Sequence, residues 1–232
     1  MSLVNETLWE THWDDEKPGF MEIDLVAHCG TSVDGVYLNT LTATDIATGW
    51  AECLGLADTT QTSFIQAIEE HRKRLPFPLL GTDSDNGSEF VNVALLRYCK
   101  KEKIDFTGSR PYRKNDQAHT AQENWSVVRQ TVGYSRMEMD GELVMLRSIY
   151  TDLRLYVNYF QPVLKLVGKK QVDERTKRIF DEAKTPYRRV FERVELPTTD
   201  KARLAVEFTR LIPVKLRTSI DMKVDQMLKN AR

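Results

Sequence analysis

Residues Gly81 to Phe90 read GTDSDNGSEF, and this stretch decides the fold. Pro78-Leu79-Leu80, just before it, reads as a short buried strand, and Asp85-Asn86-Gly87 is a turn signal. From Ser88 the apolar residues Phe90, Val91, Ala94, Leu95 and Tyr98 recur near helical spacing. The order is therefore strand, Asp85, helix. A carboxylate at the end of a buried strand is held rigidly while its head stays accessible, which suits a metal ligand.

Upstream, Gly19 to Cys29 alternates, with Phe20, Glu22, Asp24 and Val26 on one strand face and Met21, Ile23, Leu25 and Ala27 on the other. An acid inside an apolar strand needs a partner, because a lone buried carboxylate is costly. For Asp24 an arginine, backbone amides and a cation all meet that need. Asp34-Gly35 marks a hairpin turn before a strand from Val36 to Thr44, and Gly49 to Leu56 makes a third strand. Thr60 opens a helix that Pro76 and Pro78 end after Leu75.

Downstream, Ile104 to Gly108 is a short fifth strand. Arg110 to Ala118, RPYRKNDQA, lacks an apolar period and is a loop whose cations lie near Asp85 in sequence. A helix is expected from Gln117 or Ala118 to Gly133, a suitable C-terminal cap, and a second from Leu143 to Phe160. Pro162 to Arg193 is basic and poor in core residues. Thr198 to Arg232 reads as a basic amphipathic helix pair interrupted at Pro213. The order β-β-β-α-β-α-β-α is neither a doubly wound repeat nor a sandwich.

The 232 residues allow one good-sized domain with an appendage. No run approaches membrane-spanning length and no signal sequence opens the chain, so a soluble cytoplasmic protein with no membrane partner is expected. Met1-Ser2-Leu3 fits an added leader, which makes a fragment of a longer protein one expectation. Cys29, Cys53 and Cys99 form no zinc pattern with the histidines and read as reduced core residues. The net charge of −1 conceals an asymmetry: residues 1 to 90 hold 16 acidic against 4 basic residues, and residues 91 to 232 hold 18 against 29. Two readings fit: halves that pair with each other, or a metal on one side and a polyanion on the other.

The set PGFMEIDLV, GTDSDNGSEF, RPYRKNDQAH and QENWSVVRQ resembles the catalytic core of the retroviral integrase and bacterial insertion-sequence transposase superfamily, over about residues 18 to 160. FQPVLKL and KTPYRRVFE extend the resemblance toward the transposase branch. It implies an α/β, ribonuclease H-like fold with a mixed five-stranded sheet, its first three strands antiparallel, flanked by helices. Residues 1–17 would be an N-terminal arm, 18–160 the core and 161–232 a basic, mostly helical C-terminal extension. It further implies two Asp and one Glu holding two Mg²⁺ or Mn²⁺ ions, DNA as substrate (transposon ends and target) and a homo-oligomer. Asp24 matches the first acid and Asp85 the second. Metals there would activate water or a DNA 3'-hydroxyl and stabilise the leaving oxygen.

The family's Glu commonly follows the second Asp after 35 residues, with Asn three residues later. Here that count reaches Ala121, followed by Asn124. Glu123 is the nearest carboxylate, but two helical residues turn it roughly 200° from position 121. Asp116 in the preceding loop is a further candidate. Three readings stand: an introduced inactivation, a natural decay into a non-catalytic DNA-binding or assembly module, and a slipped register that uses Glu123. A ribonuclease H-like nuclease acting on other nucleic acids is a further alternative. For DNA, Arg110, Arg113 and Lys114 suit phosphate contacts, and His119, Gln122 and Asn124 suit hydrogen bonds at the helix start or local capping. The basic surface after residue 160 suits phosphates without sequence preference, or is a solvated helix face.

Overall fold

The computed structural model describes residues 16–84, 93–108, 124–172, 175–193 and 195–230. Strand β1 (Phe20–Ala27) pairs antiparallel with β2 (Asn39–Asp45), which pairs antiparallel with β3 (Ala51–Leu56). Helix α1 (Gln61–Arg74) follows, then β4 (Gly81–Ser84), α2 (Val93–Glu102) and β5 (Asp105–Gly108). Strand β4 lies parallel to β1, and β5 parallel to β4, giving the sheet order β3-β2-β1-β4-β5. This is the mixed five-stranded, helix-flanked sheet of the ribonuclease H-like fold, with the first three strands antiparallel as expected.

Alternation along the strands divides the core between the two sheet faces. Met21, Ile23, Leu41, Ala43, Leu54 and Leu56 bury against Phe64, Ala67 and Ile68 of α1 and Cys99 of α2. On the opposite face a π-helical turn, Asn124–Arg129, continues into the short α3 (Gln130–Val132), and α4 (Asp140–Phe160) follows. Val26 and Cys53 there meet Val127, Val128, Leu146 and Ile149. Gly55 lets α4 close in, since a Cβ on it would stand 3.1 Å from both Leu143 and Leu146.

The local signals explain most boundaries. Thr60 caps α1 by accepting from Ser63 N, and Gly133 ends α3 at φ 75°. Helix α4 starts earlier than its apolar run, because the Glu142 carboxylate accepts the amides of Glu138 (2.7 Å) and Met139 (2.9 Å). The fourth strand is displaced from Pro78–Leu80 to Gly81–Ser84. Pro78 has no N–H to give a ladder, and pairing begins only where Leu80 N and Gly81 N donate to Gly19 O. The strand expected from Val36 begins at Asn39; exposed Val36 instead gives its carbonyl to Arg136.

Beyond α4 the chain forms an antiparallel ribbon, β6 (Leu166–Val172) with β7 (Arg175–Phe180), which the sequence did not signal as strands. Then come α5 (Pro186–Phe191), α6 (Thr198–Arg210) and α7 (Pro213–Asn230), the last two being the helix pair expected around Pro213. Helix α7 packs along α4 through Ile220 and Met227, while Leu204 of α6 joins the α1-side core.

The start of the free edge of β3 is capped by a side chain. Asn158 of α4 accepts from Ala51 N at 2.8 Å and donates to Ala51 O at 2.7 Å, wholly buried. Asn158→Ala leaves both backbone groups without partners and is expected to cost about 2–4 kcal/mol. Urea unfolding of the two proteins measures it; a loss below about 1 kcal/mol would show that water replaces the amide.

Candidate functional site

Asp24 sits near the middle of β1, in register with Thr42 and on the face shared with Glu22 and Val26. Its side chain is half-buried, and its Oδ1 accepts from Leu25 N at 2.7 Å. Thr42 Oγ1 donates to the Asp24 carbonyl at 3.1 Å, tying the backbone to β2. A backbone amide, one of the partners expected for this acid, is thus present.

Strand β4 is aligned beside it. Phe20 pairs with Gly81, Met21 with Thr82, Glu22 with Asp83 and Ile23 with Ser84. The described part of β4 therefore ends one residue short of the level of Asp24, and Asp85 is the next residue in the chain. Asp85 itself lies outside the described residues, as do Arg110, Arg113, Lys114, Asp116, His119, Ala121, Gln122 and Glu123. Asn124 opens the described π-helical turn.

That turn lies on the Asp24 face of the sheet. Val127 and Val128 bury against Val26, and Arg129 Nη2 donates to Ala27 O at 2.8 Å. A π-helical turn inside a helix is uncommon and frequently marks a functional position. The turn that follows the third-acid position in sequence thus runs over the strand that carries the first acid, and the expected helix start at Gln117 or Ala118 lies outside the described residues.

The rim beyond β1 is held by a residue that the sequence reading did not single out. Arg136 Nη1 donates to the carbonyls of Cys29 (3.2 Å) and Ser32 (2.9 Å), and Nη2 to those of Asp34 (2.7 Å) and Val36 (2.9 Å). One planar guanidinium thereby fixes the β1–β2 loop. Nothing local marks it, because its partners lie about a hundred residues away in sequence.

His28, just past β1, is fully buried, and its Nε2 lies 2.7 Å from Thr40 Oγ1, which lies 2.7 Å from Tyr150 Oη. Burial, and then the Arg129 charge, push the His28 imidazole down to about 4. It is a neutral support under the site.

As a metal site, the described part is incomplete. Among the described residues no group of three or more His, Cys, Asp and Glu side chains could hold an ion. Asp24 supplies a hard oxygen donor of the kind Mg²⁺ takes, and Asp85 is the nearest second one by sequence. Among the described residues the cysteines and histidines join no such group: Cys53 and Cys99 are buried, Cys29 is half-buried, and burial pushes the His71 imidazole down to about 3.

No family model matches the chain. It is 42% identical over 163 residues to an uncharacterized protein, y4rM, of Sinorhizobium fredii; the match takes in 70% of this chain and 47% of that protein. The chain thus spans less than half the length of this curated relative. Similar solved structures include the catalytic core domain of BIV integrase, at 16% identity and TM-score 0.47, covering 61% of this chain and 84% of that one. Another is a simian T-cell lymphotropic virus intasome in complex with PP2A regulatory subunit B56 gamma, at 14% identity and TM-score 0.49, covering 64% and 51%. The fold is established by strand order and register. No helix among the described residues is long and apolar enough to cross a membrane.

The buried histidine makes a checkable pH dependence. Below pH 6.5 the unfolded chain takes up a proton that folded His28 refuses until about pH 4, so stability falls as pH drops through that window. The slope is up to about 1.4 kcal/mol per pH unit for His28, with His71 adding the same sign. Unfolding of His28→Gln between pH 7 and about 4 is expected to show a shallower slope. An unchanged slope would show that His28 protonates without unfolding.

Proposed function

We propose that this chain is the catalytic core of a DNA strand-cleaving and strand-transferring protein of the integrase–transposase superfamily, impaired as it stands because Ala121 occupies the third-acid position. The observation that carries this reading is the β1–β4 register, which brings the strand preceding Asp85 to within one residue of the level of Asp24. Two oxygen donors contributed by adjacent parallel strands form one side of a divalent-cation site. The π-helical turn over β1 supports the same reading from the other side.

In this reading Asp24 and Asp85 hold Mg²⁺ or Mn²⁺, and bound ions would supply an activated nucleophile and a stabilised leaving oxygen on a phosphodiester. The chain's own residues do the positioning. Leu25 N and Thr42 Oγ1 fix Asp24 to the sheet, and Arg110, Arg113 and Lys114 bind the DNA backbone beside it. His119, Gln122 and Asn124 contact the DNA end. FQPVLKL and KTPYRRVFE favour the transposase branch, hence transposon ends and target DNA as substrates and a homo-oligomer as the working form.

Alanine at position 121 favours one alternative, a DNA-binding or assembly module that keeps the fold without the chemistry. Two carboxylates must then hold the charge that three would share. The two readings separate on one experiment, Mg²⁺- and Mn²⁺-dependent nicking of duplex DNA. Ala121→Glu is expected to raise Mn²⁺-dependent nicking by about ten-fold or more, and adding Asp24→Asn is expected to remove the gain. Equal nicking by the original chain and Ala121→Glu sinks the impairment at position 121, whereas no metal-dependent nicking by either, with DNA binding retained, sinks the catalytic reading and leaves the module.

A further inference from the structure

The β6–β7 ribbon has no structural reason to exist on its own. Lys170, Gln171 and every residue from Thr176 to Phe180 are exposed, and neither strand makes more than slight contact with any other element. A two-stranded hairpin without a covered face is marginal in water. Its cross-strand pairing adds a penalty, because Lys170 stands opposite Lys177. Like charges directly opposed across an antiparallel pair destabilise it. Among the described residues no carboxylate pairs with Lys170, Lys177 or Arg178.

The base of the ribbon, by contrast, is firmly clamped. Lys165 N donates to Asp181 Oδ1 at 2.7 Å, and Asp181 N donates to Lys165 O at 2.9 Å. Arg189 of α5 grips the Asp181 carboxylate at 2.5 and 3.1 Å and donates to Val163 O at 2.8 Å. Lys165 Nζ reaches Ala47 O at 2.6 Å, across to the turn between β2 and β3. A rigidly rooted arm with bare, self-repelling flanks is built to be completed by something anionic.

We propose that the β6–β7 ribbon is a duplex-DNA arm, gripping phosphates through Lys170, Lys177 and Arg178; this rests on the DNA-acting reading given above. Successive cross-strand pairs point to opposite faces, so Lys170 and Lys177 share one face and Arg178 lies on the other. The major groove of B-DNA admits a two-stranded ribbon, and a ribbon standing in it turns one face to each phosphate wall. Cations on both faces fit that placement; a flat contact would use one face alone. The two residues between β6 and β7 in sequence, Asp173 and Glu174, are acidic, a composition that does not favour an anionic membrane. A second copy of the ribbon carries the same charge and would repel this one.

The test compares the full chain with a Lys170→Ala, Lys177→Ala, Arg178→Ala variant, using a labelled DNA duplex of arbitrary sequence in anisotropy titrations over a potassium chloride series. The variant is expected to bind about ten-fold or more weakly, with its log K against log salt slope smaller by about 2 to 3, near 0.9 for each lost phosphate contact. Its melting temperature without DNA is expected to equal or exceed that of the original chain, since like-charge opposition has been removed. Lys170→Arg with Lys177→Arg is expected to bind as the original does. Unchanged affinity and slope in the alanine variant overturn the ribbon assignment and leave the DNA-acting reading standing. Failure of the original chain to bind duplex overturns both. A lowered melting temperature, or loss of self-association in sedimentation with DNA binding intact, overturns the ribbon assignment by giving these cations a folding or assembly role.

Discussion

Strand β1 must carry charge through a sheet that is covered on both faces, and the rest of the body follows from that constraint. It alone has an antiparallel neighbour on one side and a parallel one on the other. Its odd-numbered residues satisfy the α1-side core, with Met21 and Ile23 almost wholly buried, so Glu22 and Asp24 must face α3 and α4. A one-residue slip would bury both acids among Phe64, Ala67 and Ile68. The register is therefore fixed by the cost of that alternative, and with it the height of Asp24 relative to the end of β4.

Helix α4 transmits this order to the C-terminal elements. Its inner face meets β3, and its outer face holds α7, where Ser219 Oγ and Lys223 Nζ both donate to Asp152 Oδ2 at 2.6 Å. Near its end Tyr159 stacks on Tyr187 of α5, with centroids 5.0 Å apart, and Tyr187 stacks on Phe208 of α6 at 4.8 Å. Tyr159 Oη also donates to the Glu207 carboxylate. Such stacked aromatics add to their buried area, so α5, α6 and α7 continue the core that α4 begins. Among the described residues, the hydrogen bonds that tie the ribbon to this assembly lie at its root.

What the sequence disclosed, and what it did not, divides by the range of the interaction. Thr60, Pro76, Gly133 and the alternation of Phe20 to Ala27 act within a turn of themselves, and the boundaries they mark are where they were expected. Pro78 moved β4 because a missing N–H is a ladder effect, visible only once Gly19 is known to be the partner. Arg136, Asn158 and the ribbon depended on partners distant in sequence or on faces left bare, and no local pattern announces either. For the site, the placement of Asp24 within β1 was legible from residue type and alternation. Asp85, the loop cations and the third-acid region lie outside the described residues, so their reading still rests on motif and spacing.

The charge asymmetry of the chain resolves into two uses. Cations from the later part of the chain serve the earlier part internally: Arg154 holds buried Glu52 at 2.6 Å while Trp50 Nε1 donates to the same oxygen at 2.9 Å. Burial pushes the Glu52 carboxyl up, and the guanidinium opposes it. Arg129, Arg136, Arg147 and Lys165 donate to carbonyls of the strands, loops and turns before residue 60. These cations are committed to the fold and cannot also bind a polyanion. Those of the ribbon are different in kind, since they are exposed, face each other and hold no described acid. Pairing between the two parts of the chain and an outward basic surface are thus not competing accounts of one charge pattern. They are separate sets of residues, and only the second is available to a partner.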